Sequence, residues 1–134
     1  MSQLQTDTIH INFKRYSLYS YPLEQYWQLH NNKPPLFSTT SGNNRGYRAE
    51  WLIENYKLYL IKFWGEALLF PGYKVYDIYD LFPNHPNRVF AEWYTGSLSV
   101  GIGQRGESLL IEQYEIKADI CNGIITNLAM HDMV

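Results

Sequence analysis

Between Tyr47 and Trp64 the chain spells out the two arms of a β-hairpin. Tyr47, Ala49, Trp51 and Ile53 alternate with Arg48, Glu50, Leu52 and Glu54. A period of two puts the first set on one face of a strand and the second on the other. Asn55 sits at the turn, and the return arm from Lys57 is rich in Leu, Tyr, Ile and Phe, which suit a pleated, half-buried surface. A chain with this unit at its centre is committed to an antiparallel sheet.

Other segments repeat the pattern. Residues 9–19 alternate as one half-buried strand, with Ile9, Ile11 and Phe13 opposed to His10, Asn12 and Lys14. Residues 89–94 read as a strand, Gly96 as a turn and residues 98–102 as the return. Residues 108–120 alternate again, and Asn122-Gly123 is the strongest turn dipeptide of the chain, with residues 124–128 returning. Residues 73–82 fit either a strand or a short helical turn before Phe82-Pro83. Residues 22–30 differ: Leu23, Tyr26, Trp27 and His30 share one helical face, and Pro22 suits a first turn. Pro34-Pro35 is expected to end that helix. Polar loops are expected over 38–46, 83–87 and around Gly101, Gly103 and Gly106, and residues 130–134 are expected to fray. The expected fold is α+β and β-rich. It is a mainly antiparallel, curved or barrel-like sheet of hairpins with one short helix near 22–30, in a single domain spanning 1–134.

Composition narrows the function classes. The chain has 134 residues with 12 Tyr, 6 Phe and 4 Trp, and its charged share of 18% is low. Disordered chains have few aromatics and high net charge, so disorder is excluded. A formal net charge of −2 argues against non-specific nucleic-acid binding, which needs cations to neutralise phosphates. Cys121 is the only cysteine, so no disulfide framework is indicated. Residues 1–12 lack a charged n-region followed by an apolar h-region, and the apolar runs are far too short to span a bilayer. A cytoplasmic location with no membrane partner is the expectation.

Several motifs together resemble a family of small, uncharacterised bacterial proteins. They are Pro22-Leu23-Glu24-Gln25-Tyr26, Arg45-Gly46-Tyr47-Arg48-Ala49-Glu50-Trp51, Lys57-Leu58-Tyr59-Leu60, Leu81-Phe82-Pro83 and Phe90-Ala91-Glu92-Trp93-Tyr94-Thr95-Gly96-Ser97-Leu98. The resemblance covers about two thirds of the chain and implies a shared fold but no activity. This chain departs from it at Asn44, where an aromatic residue is usual. It departs again after the last motif, where only residues 101–108 stand in for a longer segment rich in His, Met and Tyr.

Catalytic chemistry has little support. His10, His30, His85 and His131 are scattered, without zinc-type spacing, so no metal site or cofactor is indicated. Each His reads as a surface or capping residue, and Cys121 as a small strand-end residue. Gly101-Ile102-Gly103-Gln104-Arg105-Gly106 spells a dinucleotide fingerprint, but a strand rather than a helix is expected after it. Ala49-Glu50-Trp51, Ala91-Glu92-Trp93 and Ala118-Asp119-Ile120 each place a carboxylate opposite an apolar pair in the first arm of an expected hairpin. Such carboxylates are mostly solvated, with Arg48 and Lys117 as neighbours. No catalytic residue is assigned, and an enzyme is the less favoured reading.

Binding is better supported. Arg45 and Arg48 beside a Gly-rich polar loop suit an anion or an acidic partner, although Arg45 equally suits a bond to loop carbonyls. Tyr and Trp exceed what a core of this size needs, and they are enriched at interfaces. Tyr19, Tyr21, Tyr76 and Tyr79 have no evident inward role. The expected function is a small cytosolic protein-binding module, in the specific form of an immunity-type or accessory protein that occludes a toxin or effector, with Glu50 and Glu92 facing a basic target. The alternative is a small-ligand binder or enzyme with an aromatic pocket in the mouth of the sheet, stacked on Trp51 or Trp93. A homodimer is a third form. The candidate partner- or ligand-binding residues are Arg45, Tyr47, Arg48, Glu50, Trp51, Tyr76, Tyr79, Glu92 and Trp93.

Overall fold

The computed structural model describes residues 6–37, 45–69, 71–85, 87–101 and 114–132. Over these residues the chain forms β1 (Asp7–Ile11), β2 (Lys14–Leu18), α1 (Pro22–His30), β3 (Leu36–Phe37), β4 (Tyr47–Glu54), β5 (Lys57–Leu69), β6 (Gly72–Asp77), α2 (Ile78–Leu81), β7 (Val89–Phe90), β8 (Gly96–Gly101), β9 (Tyr114–Cys121) and β10 (Ile124–Asp132).

Seven strands close a barrel in the order β10-β9-β8-β2-β1-β4-β5, sealed where Ile124 of β10 pairs with Lys57 of β5. Every neighbour in the ring is antiparallel except β1 and β4, which run parallel with Ile9 beside Trp51. A parallel pair needs a long connection. Here β2, α1 and β3 supply it. Strand β5 outruns the barrel, and its far half pairs with β6 and β3 instead.

The alternation read from sequence fills the interior. Ile9, Leu18, Trp51, Leu58, Leu60, Leu98, Val100 and Ala118 are buried within a single apolar cluster. Helix α1 packs on it through Leu23 and Trp27. The Trp27 ring meets Tyr47 and Phe63 edge-on at 5.2 and 6.2 Å. Segment 82–94 seals further: Trp93 stacks on Phe82 at 5.7 Å and donates its indole N–H to the Pro22 carbonyl at 2.9 Å.

The hairpin at its expected place has Asn55 and Tyr56 at its turn, and the helix spans its expected residues. Four expectations change. Residues 9–19 are not one strand but part of the β1–β2 hairpin, because Asn12 and Phe13 take positive φ and reverse the chain. The helix stops at Asn31, whose left-handed conformation caps it, before the prolines are reached. Residues 89–94 do not form the arm of a hairpin with β8. Only Val89–Phe90 is extended, against β5, then residues 91–94 turn, and β8 pairs with β2 and β9. Finally, β10 continues to Asp132, where fraying was expected from 130 onward. Residues 73–82 adopt both forms considered for them, β6 and then α2. The loops expected over 38–44 and 102–107 lie outside the described residues.

Candidate functional site

A cleft of about 620 Å³ lies on the outer face of β1, β4 and β5, walled by the start of α2 and by Asn87. Its origin is local. Lys62 pairs with Glu50, but Leu60 pairs with Trp51, so Ile61 is an extra residue that forms a bulge in β5. A bulge bends its strand and increases the local twist. Beyond it, β5 and β6 carry Asp77 and Tyr79 to the cleft wall, facing Arg48 and Glu50.

Three cations line this cleft: Arg15, Arg48 and Lys62. Arg48 lies over the Trp64 ring at 5.7 Å, and among the described residues none of the three makes an ion pair. The two carboxylates of the cleft are engaged. Glu50 bonds to His10 Nε2 at 3.1 Å, and Asp77 accepts the backbone N–H of Tyr79 and Asp80 at 3.0 and 3.1 Å as the cap of α2. With three cations against two carboxylates, the cleft lining keeps a small excess of positive charge, and its concave wall focuses that field.

The cleft opens onto an apolar face. On β5 and β6, Trp64 lies opposite Asp77, Glu66 opposite Val75 and Leu68 opposite Tyr73, so these six side chains share one face. Trp64, Leu68, Tyr73 and Val75 are 43%, 68%, 63% and 45% exposed. Glu66 stands among them.

A second polar cluster is buried inside. Asp7 has no solvent exposure and accepts hydrogen bonds from the Ala49 backbone N–H at 3.1 Å, Trp51 Nε1 at 3.1 Å and Arg45 Nη2 at 3.3 Å. Burial pushes its pKa up to about 6, although Arg45 and the hydrogen bonds from Trp51 and Ala49 pull the other way. The Arg45 guanidinium stacks 3.9 Å from the Tyr21 ring centre. The Tyr47 hydroxyl donates to Glu24 at 2.8 Å, and burial, with the Asp7 and Glu24 carboxylates adding to it, drives its pKa upward.

The nine candidate residues thus divide. Arg48, Glu50 and Tyr79 come together in the cleft. Arg45 and Tyr47 belong to the buried network: Arg45 bonds to Asp7 and to the Tyr47 carbonyl. Trp51 is fully buried and Trp93 is packed between Tyr26, Trp51 and Phe82, so neither presents a ring to a ligand in the sheet mouth. Tyr76 is half-buried beneath Lys74, and Glu92 is exposed in the 91–94 turn, away from the cleft lining. Of the tyrosines without an evident inward role, Tyr21 lies under Arg45 and Tyr79 reaches solvent. Cys121 is exposed, as are His30 and His85.

Lys62, Arg15, Trp64 and Asp7 were not among the candidates. Asp7 left a signal, since it keeps the parity of Ile9 and Ile11 and so had to face inward. Among the described residues no three His, Cys, Asp or Glu side chains converge as a metal site, and no helix is long and apolar enough to cross a membrane. No protein-family model, curated protein or solved structure matches this chain.

Proposed function

We propose that the protein is a protein-binding module whose partner presents an apolar patch bordered by carboxylates. The observation that carries this reading is the cross-strand register of Trp64, Leu68, Tyr73 and Val75, which leaves four large apolar side chains open on one face. Contiguous apolar surface of this kind marks interaction sites. Arg15, Arg48 and Lys62 lie at its foot, so charge complementarity selects an acidic partner.

Occlusion of a toxin or effector is the specific form in which we cast the binding. Its electrostatics differ from the sequence expectation. Glu50 is held by His10 and Glu92 is not part of the cleft, so the complementing charges are the three cations. The second reading, a small-ligand binder, moves from the mouth of the sheet to the outer cleft, whose volume and cations suit a small anion.

A pull-down from the native host with intact-mass analysis tests the choice, run with the unaltered chain and with a Leu68→Asp/Tyr73→Asp variant. A stoichiometric acidic protein held by the first and lost from the second supports the reading. A retained small molecule without a protein, or capture indifferent to the double substitution, overturns it.

A further inference from the structure

The β1–β2 and β4–β5 turns are both two-residue reversals with positive φ at each position: 51° and 67° for Asn12 and Phe13, 53° and 62° for Asn55 and Tyr56. Asn suits this conformation, and the second position ordinarily takes Gly. A bulky aromatic there is strained, since its Cβ crowds the following carbonyl. The third such turn, Asn122-Gly123, uses glycine. At the other two, no packing offsets the strain: Phe13 is 107% exposed and Tyr56 75%. The Tyr56 carbonyl accepts the Ile125 N–H at 2.7 Å, a bond that glycine there would make equally; an aromatic side chain kept at such a position, with its ring packed on nothing, points to function.

The two tips also sit together. β1 and β4 are parallel neighbours with Ile11 beside Ile53, and each turn follows directly. Both rings therefore project from the same end of the barrel. Each is followed in sequence by a cation, Lys14 after Phe13 and Lys57 after Tyr56, and both lysines are exposed, Lys57 Nζ lying 5.5 Å from the Phe90 ring centre. The nearest carboxylate on these strands, Glu54, is paired with Arg88 at 2.6 Å. This end of the barrel thus carries two exposed aromatic rings, each followed by an exposed lysine.

We propose that this end docks on an anionic lipid surface, with the Phe13 and Tyr56 rings entering the headgroup layer and Lys14 and Lys57 meeting the lipid phosphates. The order of ring and then cation at each tip matches the layering of a bilayer interface, where aromatic rings sit at headgroup depth and basic side chains reach the charged surface. A protein pocket would need a concave match to two separate tips, whereas a fluid interface accepts them without one. The expectation of no membrane partner came from the lengths of apolar runs, which bear on spanning a bilayer and not on lying against it. This inference does not depend on the protein-binding reading, because the tips lie outside the β5–β6 face.

Co-sedimentation with phosphatidylcholine vesicles, with and without phosphatidylserine, tests it. The chain is expected to pellet with the anionic vesicles and not with pure phosphatidylcholine, and to release as salt is raised. A Phe13→Gly/Tyr56→Gly variant should lose about tenfold or more of its partitioning while its Tm is no lower, because glycine relieves the strained positions. A Lys14→Gln/Lys57→Gln variant should also bind less. The proposal is overturned if anionic vesicles do not pellet the chain, if the glycine variant pellets as before, or if that variant melts lower, which would make the rings structural. Loss of a captured protein from the glycine variant, without vesicle binding, would also overturn it and give the tips to a protein partner.

Discussion

The carboxylate of Asp7 accepts the indole N–H of Trp51 at 3.1 Å, and neither residue reaches solvent. This bond ties the first strand of the barrel to the fourth just where their parallel ladder begins, and the same carboxylate also takes the Ala49 N–H and the Arg45 guanidinium. Asp7→Ala leaves the buried Ala49 and Trp51 N–H donors and the part-buried Arg45 guanidinium without their acceptor. Breaking a buried pair by removing one partner costs about 3–5 kcal/mol. A fall in Tm of roughly 10 °C or more is expected. Loss of less than about 1 kcal/mol in urea titrations would show that water replaces the carboxylate.

The same group sets a pH dependence with a definite sign. The pKa of Asp7 is raised from 3.8 to about 6 in the folded chain, chiefly by burial. The folded chain therefore holds a proton between these values that the unfolded chain releases. The stability this contributes is fully present below pH 3.8 and is lost as pH rises through about 6. A shift of this size corresponds to roughly 3 kcal/mol across the window. Urea midpoints of the unaltered chain, measured against Asp7→Asn between pH 4 and 7, should show the gap move in favour of the unaltered chain on acidification. A gap that is flat with pH contradicts the assignment.

The two clusters differ in how far the sequence announced them. Strict alternation put Tyr47, Ala49 and Trp51 on the face opposite Arg48 and Glu50, and the structure keeps that division and buries the first set. Asp7 was legible in principle from its parity with Ile9 and Ile11. So was the bulge, because the apolar parity of Leu58 and Leu60 slips before Phe63. The cleft itself was not. It depends on Ile61 bending β5 and on α2 returning over the sheet, and no local pattern encodes that meeting. The parallel pairing of β1 with β4 was equally hidden, since hairpin signals report only strands adjacent in sequence. Trp93 was misplaced for a related reason. Its segment alternates like a strand, but its ring is fixed by Phe82, Tyr26 and the Pro22 carbonyl, all from elsewhere in the chain.

Tyr47 links the buried network to helix α1. Its hydroxyl donates to Glu24 at 2.8 Å, and Glu24 also receives Lys33 at 3.2 Å. Tyr47→Phe keeps the ring packing on Trp27 and Phe63 and deletes only this bond to a carboxylate, so a loss of about 1.5–3 kcal/mol is expected. Spectrophotometric titration gives an independent check. Burial holds the Tyr47 phenol protonated well above the ordinary tyrosine range. One tyrosine fewer should therefore ionise only on alkaline unfolding in Tyr47→Phe than in the unaltered chain.

Gly123 is the glycine the barrel closure cannot replace. Its φ is +81°, and a Cβ added there would fall 2.6 Å from the Ala91 carbonyl oxygen and 2.8 Å from the Phe90 ring. The backbone has little freedom to retreat. The Gly123 N–H donates to the Tyr94 carbonyl at 2.9 Å, its carbonyl accepts the Leu58 N–H at 2.9 Å, and Ile124 beside it makes the pairing that closes the ring. Gly123→Ala therefore combines left-handed strain of about 1–2 kcal/mol with overpacking of about 1–3 kcal/mol. A total loss of roughly 2–5 kcal/mol is expected in urea titrations, with the m-value unchanged if only stability is altered. Asn122→Gly, one residue earlier in the same turn, is the control. It accepts the positive φ, adds no atoms and gives up only the exposed 3.4 Å bond from the Thr95 hydroxyl to Asn122 Oδ1, so its effect should stay below about 1 kcal/mol. Equal effects of the two substitutions would mean that the turn, and not the contact with Ala91, sets the cost.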